Sequence, residues 1–254
     1  MNPAVKPKLM KPLLGAAGVL GLVLRAVLYT AGTDRKGLLI RGYWAGTGIW
    51  ALTAAMVLVL YLWCHRLAGS KYYRKTFPAS FFSAAGAILA ALSFILSPVA
   101  QVPSPVFGKI EPVLRFAAAA ALLWISFCRF RGSTPFFLLH CTVCMYLALR
   151  LVCQYRIWSA DPQIQNYAFY LGAHVALMIT AYQLAAFDAG FGNHSRLWFF
   201  GLAGIYLSMI SLIGSSEPFF LVCCIIWIWS SLCPTSLRKH RGSVNHQCEQ
   251  EDQP

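Results

Sequence analysis

The stretch Val113-Leu-Arg-Phe-Ala-Ala-Ala-Ala-Ala-Leu-Leu-Trp-Ile-Ser-Phe-Cys128 decides the fold class. Alanine and leucine are the strongest helix formers, and only Arg115 interrupts the apolar run. Such a segment has no polar face to offer water, so its stable state is a helix surrounded by lipid or by other helices. Similar blocks fill the chain on both sides: Leu13 to Ala31, Tyr43 to Cys64, Ser80 to Val99, Pro135 to Val152, Tyr167 to Phe187, Leu197 to Ile213 and Pro218 to Leu232. Lipid-embedded backbone must satisfy its own hydrogen bonds, and the polar–apolar alternation of a membrane barrel strand does not occur in these blocks. The reading is an all-α polytopic transmembrane helical bundle of eight spans.

Composition points the same way. Of 254 residues, 58% are apolar and 11% charged, against about 25% charged in an average soluble domain. Mean hydropathy is +0.60. Eight spans of about 20 residues leave no stretch long enough for a soluble catalytic domain. The expected organisation is a basic cytoplasmic N-terminus at 1–12, a transmembrane domain at 13–232 and a polar, disordered cytoplasmic tail at 233–254.

Prolines and a glycine punctuate the connections. Pro78, Pro112, Pro135 and Pro218 stand at or just before helix starts, where a missing amide donor costs nothing. Gly214-Ser-Ser-Glu-Pro218 reads as a tight turn between the last two spans. Gly42-x-x-x-Gly46 and Gly86-x-x-x-Ala90 allow close helix approach.

Orientation follows from the cations. With both termini inside, thirteen of the 21 Lys and Arg fall in inner segments and six in outer connections, while Arg25 and Arg115 lie within spans. That asymmetry favours N-in, C-in. The first block has an uninterrupted apolar core only from Leu13 to Leu24, after three lysines, which also describes a signal peptide. Tyr29-Thr-Ala31 is a poor cleavage site, so the block is read as a retained span; cleavage would leave seven. Tyr43-Trp44, Tyr61-x-Trp63, Trp198-Phe-Phe200 and Phe219-Phe220 are expected at membrane interfaces. The net charge of +13 is dispersed along the chain and follows orientation, so no nucleic-acid partner is implied. The expected partner is the lipid bilayer.

Ionisable residues within spans are costly in hydrocarbon and mark candidate sites. Arg25 lies deep in the first span, Arg115 begins the fourth on its outer side, and Arg150 ends the fifth on its outer side. If these spans pack together, they form a basic vestibule for an anionic small molecule or lipid headgroup, since guanidinium forks grip carboxylate and phosphate bidentately. The competing reading is arginine snorkelling, with Glu111 and Arg115 as an i, i+4 helical pair. Acids available nearby are Asp34, Glu111, Asp161 and Glu217.

The sixth span adds a polar stripe. Tyr170 lies about 40° from His174 around the helix and Asn166 about 80° away on the same side. The stripe could line a cavity or carry protons; the alternative is a hydrogen-bonded seam between helices. Asp188 returns to the same side about 21 Å further along, while Gln183 points opposite.

Nine cysteines include His140-Cys141-x-x-Cys144. A structural zinc site needs four ligands, and no second Cys-x-x-Cys exists, so these are read as packing residues with no metal and no cofactor. Walker, His-Glu-x-x-His and Gly-x-Ser-x-Gly patterns are missing, which argues against an enzyme. Asn193-His-Ser195 matches a glycosylation sequon but is expected to face inside.

Tyr155-Arg-Ile-Trp-Ser-Ala-Asp-Pro-Gln-Ile-Gln-Asn-Tyr167, Ala181-Tyr-Gln-Leu-Ala-Ala-Phe-Asp188 and Arg196-Leu-Trp-Phe-Phe200 resemble uncharacterised bacterial multi-span membrane proteins over roughly residues 150 to 210. The resemblance implies residence in the bacterial inner (plasma) membrane and transfers no catalytic residue. The function expected is non-enzymatic, a ligand-sensing or membrane-partner role. The alternative is a small-solute transporter for an anionic substrate.

Overall fold

The computed structural model describes residues 7–33, 40, 42–65, 67, 76–97, 105–158 and 167–233. Among these residues the architecture is all-helical, with eight helices. They are α1 (Pro7–Ala31), α2 (Trp44–Cys64), α3 (Phe81–Leu96), α4 (Pro105–Arg131), α5 (Phe137–Trp158), α6 (Ala168–Asp188), α7 (His194–Ser211) and α8 (Pro218–Leu232). Five contain segments long and apolar enough to cross a membrane: Pro12–Ala31, Trp44–Cys64, Gly108–Arg131, Phe137–Ile157 and Ala168–Asp188. The apolar helices α3 and α8 are shorter, at 16 and 15 residues.

Three boundaries lie well outside the hydropathy reading: α1 starts at Pro7 rather than Leu13, within the segment read as a basic N-terminus, and the other two matter for the site. α4 starts at Pro105, so Pro112 sits inside the helix rather than at its start. Glu111 is thereby carried on a helix, one turn before Arg115. α5 continues through Cys153-Gln-Tyr-Arg-Ile-Trp158, well past Val152. Those residues are half polar, yet they continue the helix without difficulty. Arg150 therefore does not end its helix; it stands two turns inside it.

Packing gives the bundle its plan. α3, α4, α5, α6, α7 and α8 form a closed cycle, each against the next and α8 back on α3. α1 and α2 form a hairpin laid against α7. The middle of the cycle is filled with rings: Phe94 of α3 lies 4.7 Å from Tyr146 of α5 and 5.6 Å from Phe220 of α8, centroid to centroid. Such tilted and stacked pairs add to the area they bury.

Close approach occurs where small residues meet. A Cβ at Gly86 would collide with Ser230 and press on the Ile226 carbonyl, so α3 and α8 touch nearly backbone to backbone. Gly42, by contrast, precedes α2 with φ +81° and serves a turn rather than a helix contact. Trp63 and Trp198 are both buried and meet edge to face at 5.8 Å, joining the end of α2 to the start of α7. Asn193 of the apparent sequon caps α7, accepting from the Arg196 amide at 3.2 Å. Ser195 then donates to the Cys64 carbonyl at 2.5 Å.

Candidate functional site

Helices that alternate in direction gather like-placed residues at two ends of the bundle. One end holds the later part of α1 and α5, the start of α4, α6 and α8, and the close of α3 and α7. Arg25, Arg115, Arg150, Tyr170 and His174 are all there and all buried, at 3%, 7%, 2%, 2% and 0% exposure. Asn166 lies outside the described residues. Snorkelling does not account for arginines this enclosed, since a snorkelling side chain keeps its head in water.

The cluster centres on Arg150. Its Nη1 donates to the Tyr146 hydroxyl at 2.7 Å, one turn back on α5. Its Nη2 forms an ion pair with Glu217, the residue that precedes α8. The guanidinium carbon stands 4.2 Å from the centre of the Phe220 ring, a cation–π geometry. Gln154, one turn further along α5, donates to Glu217 Oε1 at 3.4 Å. Tyr170 approaches Arg150 from α6, and its ring lies 4.3 Å from that of His174.

His174 is held between two partners. Its Nδ1–H donates to the Tyr170 carbonyl at 3.0 Å, and its ring stacks on Phe220 at 5.5 Å with an 11° tilt. Nε2 is buried and has no hydrogen-bond partner among the described residues. The donor at Nδ1 leaves Nε2 of the neutral ring as an acceptor.

Arg115 and Glu111 complete the group from α4. Arg115 Nη1 donates to the Ser97 carbonyl at 2.6 Å, tying α4 to the end of α3. Glu111 is 2% exposed and interacts electrostatically with both Arg115 and Arg150. Glu111 Oε2 and Arg115 Nε are buried with no hydrogen-bond partner among the described residues. Two arginines and two carboxylates therefore share one enclosed region. Formal charges cancel, which is the condition for burying ions at tolerable cost.

Arg25 approaches the same region from the other side. α1 does not join α4 and α5; it packs on α2 and α7. Arg25 Nε donates to the Ile213 carbonyl at 2.8 Å, with its guanidinium 5.4 Å from the Tyr29 ring and 5.5 Å from that of Phe169. The packing of three arginine-bearing helices into one vestibule is replaced by convergence on a turn. Arg25 holds Ile213 at its beginning, and Arg150 holds Glu217 at its end. Gly214 between them has φ +81° and lies so close to Tyr29 that a Cβ would overlap it.

The opposite end carries a second buried pair that the sequence reading left unconnected. His140 Nδ1 and Asp188 Oδ2 are 2.5 Å apart, and both side chains are fully buried. His140 Nε2 and Asp188 Oδ1 have no hydrogen-bond partner among the described residues. Asp188 therefore pairs with α5, and not with the Tyr170–His174 stripe one-and-twenty ångströms of helix away (about 21 Å). Cys144 of the Cys-x-x-Cys donates to the Met178 carbonyl at 3.6 Å. Among the described residues no three His, Cys, Asp or Glu side chains group as metal ligands, and the cysteines are free. Gln183, read as facing away from the polar stripe, is also buried, because α6 is covered on both sides by α5 and α7.

A usable signal existed for the histidine pair and for the Arg150 face of α5. His140 and Asp188 stand almost equally far from the middle of the α5–α6 connection, which places them at one height in an antiparallel hairpin. Tyr146 and Gln154 stand four residues before and after Arg150, the spacing that puts side chains on one helix face. Glu217 gave no such sign, because its contact spans the bundle. Compared with known proteins, the chain matches no family model, no curated protein and no solved structure.

Proposed function

We propose that the chain is an integral membrane protein crossing the bilayer eight times with both termini inside, and that its arginine end faces outward and binds a small anionic ligand in a sensing or partner role. The observation that carries this reading is the enclosed Arg115, Arg150, Glu111 and Glu217 group in the helix cycle. Burial of four ions costs several kcal/mol each before pairing. A purely structural core would be served as well by apolar side chains. Unmet hydrogen-bonding capacity at Glu111, Arg115 and His174 supports a role in recognition. The apolar helices and the excess of inner cations support the topology.

A thermal-shift screen of the detergent-purified chain against anionic metabolites and lipids tests the site, because a ligand that binds the folded state stabilises it by mass action. The expected result is a stabilising anion whose effect is lost in Arg150→Met. A screen with no stabilising anion would remove the support for ligand binding. Orientation has its own check: a membrane-impermeant thiol reagent should fail to label Cys248 in intact cells.

One observation favours a second reading, transport of an anionic solute. Buried ionisable groups occur at both ends of the α5–α6 pair, Arg150, Tyr170 and His174 at one and His140 and Asp188 at the other. Polar groups spaced through a helix pair are what a solute or proton path requires. This reading expects Arg150→Met and His174→Phe to abolish uptake into vesicles while insertion is preserved. Normal uptake in both would dismiss it.

A further inference from the structure

We propose that Glu217 is an internal carboxylate occupying the ligand's place on Arg150, and that the ligand of the arginine end is a small monocarboxylate that exchanges with it. The proposal rests on the ligand-binding reading above and gives that ligand a chemical class.

Arg150 is set for a carboxylate. Its guanidinium is 2% exposed, one terminal nitrogen is fixed by Tyr146, the other meets Glu217, and Phe220 lies beneath it. A guanidinium fork grips carboxylate and phosphate alike, and charge separates the two. With Glu217 in place the two arginines are balanced by two carboxylates. A monocarboxylate replacing it keeps that balance, whereas a dianion would leave an uncompensated buried charge. Phe94, Tyr146 and Phe220 around the site suit a small apolar body behind the carboxylate.

Glu217 also has somewhere else to go. It occupies the N-cap position of α8, yet its side chain makes no capping bond. An acid at that position ordinarily interacts with the first amides of its own helix, where the helix dipole favours negative charge. Its carboxylate is instead spent on Arg150. Released by a competing carboxylate, it finds compensation at the start of α8, so displacement does not strand a charge. The movement required is local. Arg25 anchors Ile213, which confines rearrangement to Gly214, Ser215, Ser216 and Glu217. Gly214 and Ser216 of that turn are exposed.

An internal competitor weakens binding by holding the site, since apparent affinity scales with the fraction of protein in the open state. Removing the competitor should tighten it. The test is a thermal-shift titration of the full chain in detergent with sodium benzoate, and with inorganic phosphate at matched ionic strength. Wild type, Glu217→Gln and Gln154→Met are compared. Gln154→Met takes away a hydrogen bond to Glu217 without stranding Arg150, so it serves if Glu217→Gln does not fold. Benzoate is expected to stabilise wild type, with its midpoint concentration lowered about tenfold or more in Glu217→Gln, a change of one decade in the binding constant. In Gln154→Met the midpoint should fall roughly two- to threefold, the scale of one modest hydrogen bond. Benzoate midpoints unchanged in the variants that fold would overturn the exchange while leaving a ligand site standing. So would stabilisation by phosphate in preference to benzoate. If neither anion stabilises any of the three proteins, the exchange and the anion site fall together.

Discussion

His140–Asp188 and Arg150–Glu217 are both buried pairs anchored on α5, ten residues apart, yet they differ in one respect. The histidine pair is a single contact, with His140 Nε2 and Asp188 Oδ1 unpartnered among the described residues. A guanidinium cannot be deprotonated in a protein. Arg150 therefore stays charged inside the bundle, where Glu217, Tyr146 and the Phe220 ring meet it. Obligate charge makes it the better candidate for recognition, and the histidine pair the better candidate for a structural or proton-holding role.

The sharpest way to break the comparison is Arg150→Met. It removes the cation that pairs with Glu217, and losing one partner of a buried pair costs about 3–5 kcal/mol. Stability in detergent, followed by circular dichroism during denaturant titration, should fall accordingly. The double variant Arg150→Met with Glu217→Leu should recover most of the loss, because a buried pair replaced by apolar groups is often neutral. If the single variant is as stable as wild type, the two carboxylates are not enclosed as the contacts indicate.

Asp188→Asn tests the other side and should cost less, about 1–3 kcal/mol, the range for a buried group left poorly satisfied. The amide oxygen can still accept from the His140 Nδ1–H. A loss as large as that of Arg150→Met would erase the distinction between the two ends.

The contrast also shows what a sequence makes visible. Hydropathy found each of the eight helices, because long apolar runs have few other options. It misjudged where α4 begins and α5 ends, since it measures apolarity and not helicity; Cys153-Gln-Tyr-Arg-Ile-Trp158 is helical and half polar. Arg25, Arg115, Arg150, Tyr170 and His174 stood out as costly residues, and the structure buries all of them at one end. What could not be read was their pairing. Glu217 stood among four candidate acids with nothing to single it out, and the packing of α1 with α4 and α5 that a vestibule requires is absent among the described residues, since α1 lies against α2 and α7. Both errors concern contacts between distant segments, which no local pattern encodes. The third arginine then has a different task from the other two, and that can be measured.

Arg25→Met should weaken the arginine end by about 1.5–3 kcal/mol, the scale for a buried hydrogen bond with a charged donor. Arg25 Nε donates to the Ile213 carbonyl, at the other end of the turn from Glu217. A double-mutant cycle with Glu217→Leu then separates two cases. If Arg25 only fastens α1 to α7, the losses add within about 0.5 kcal/mol. If it braces the turn that presents Glu217, the coupling exceeds that margin.

The smallest effect belongs at the histidine end. Asn193→Ala removes the cap on α7, for about 1 kcal/mol, and should add to Asp188→Asn without coupling. Asn193 accepts from the Arg196 amide, whereas Asp188 pairs with α5 across its own hairpin. Additivity there, set against coupling between Arg25 and Glu217, would mean that the two ends are organised differently. The histidine end would be a set of independent fastenings, and the arginine end a single network in which each charge depends on the turn before α8. Coupling at the histidine end of the same size would make both ends networks and remove the reason for assigning recognition to one of them.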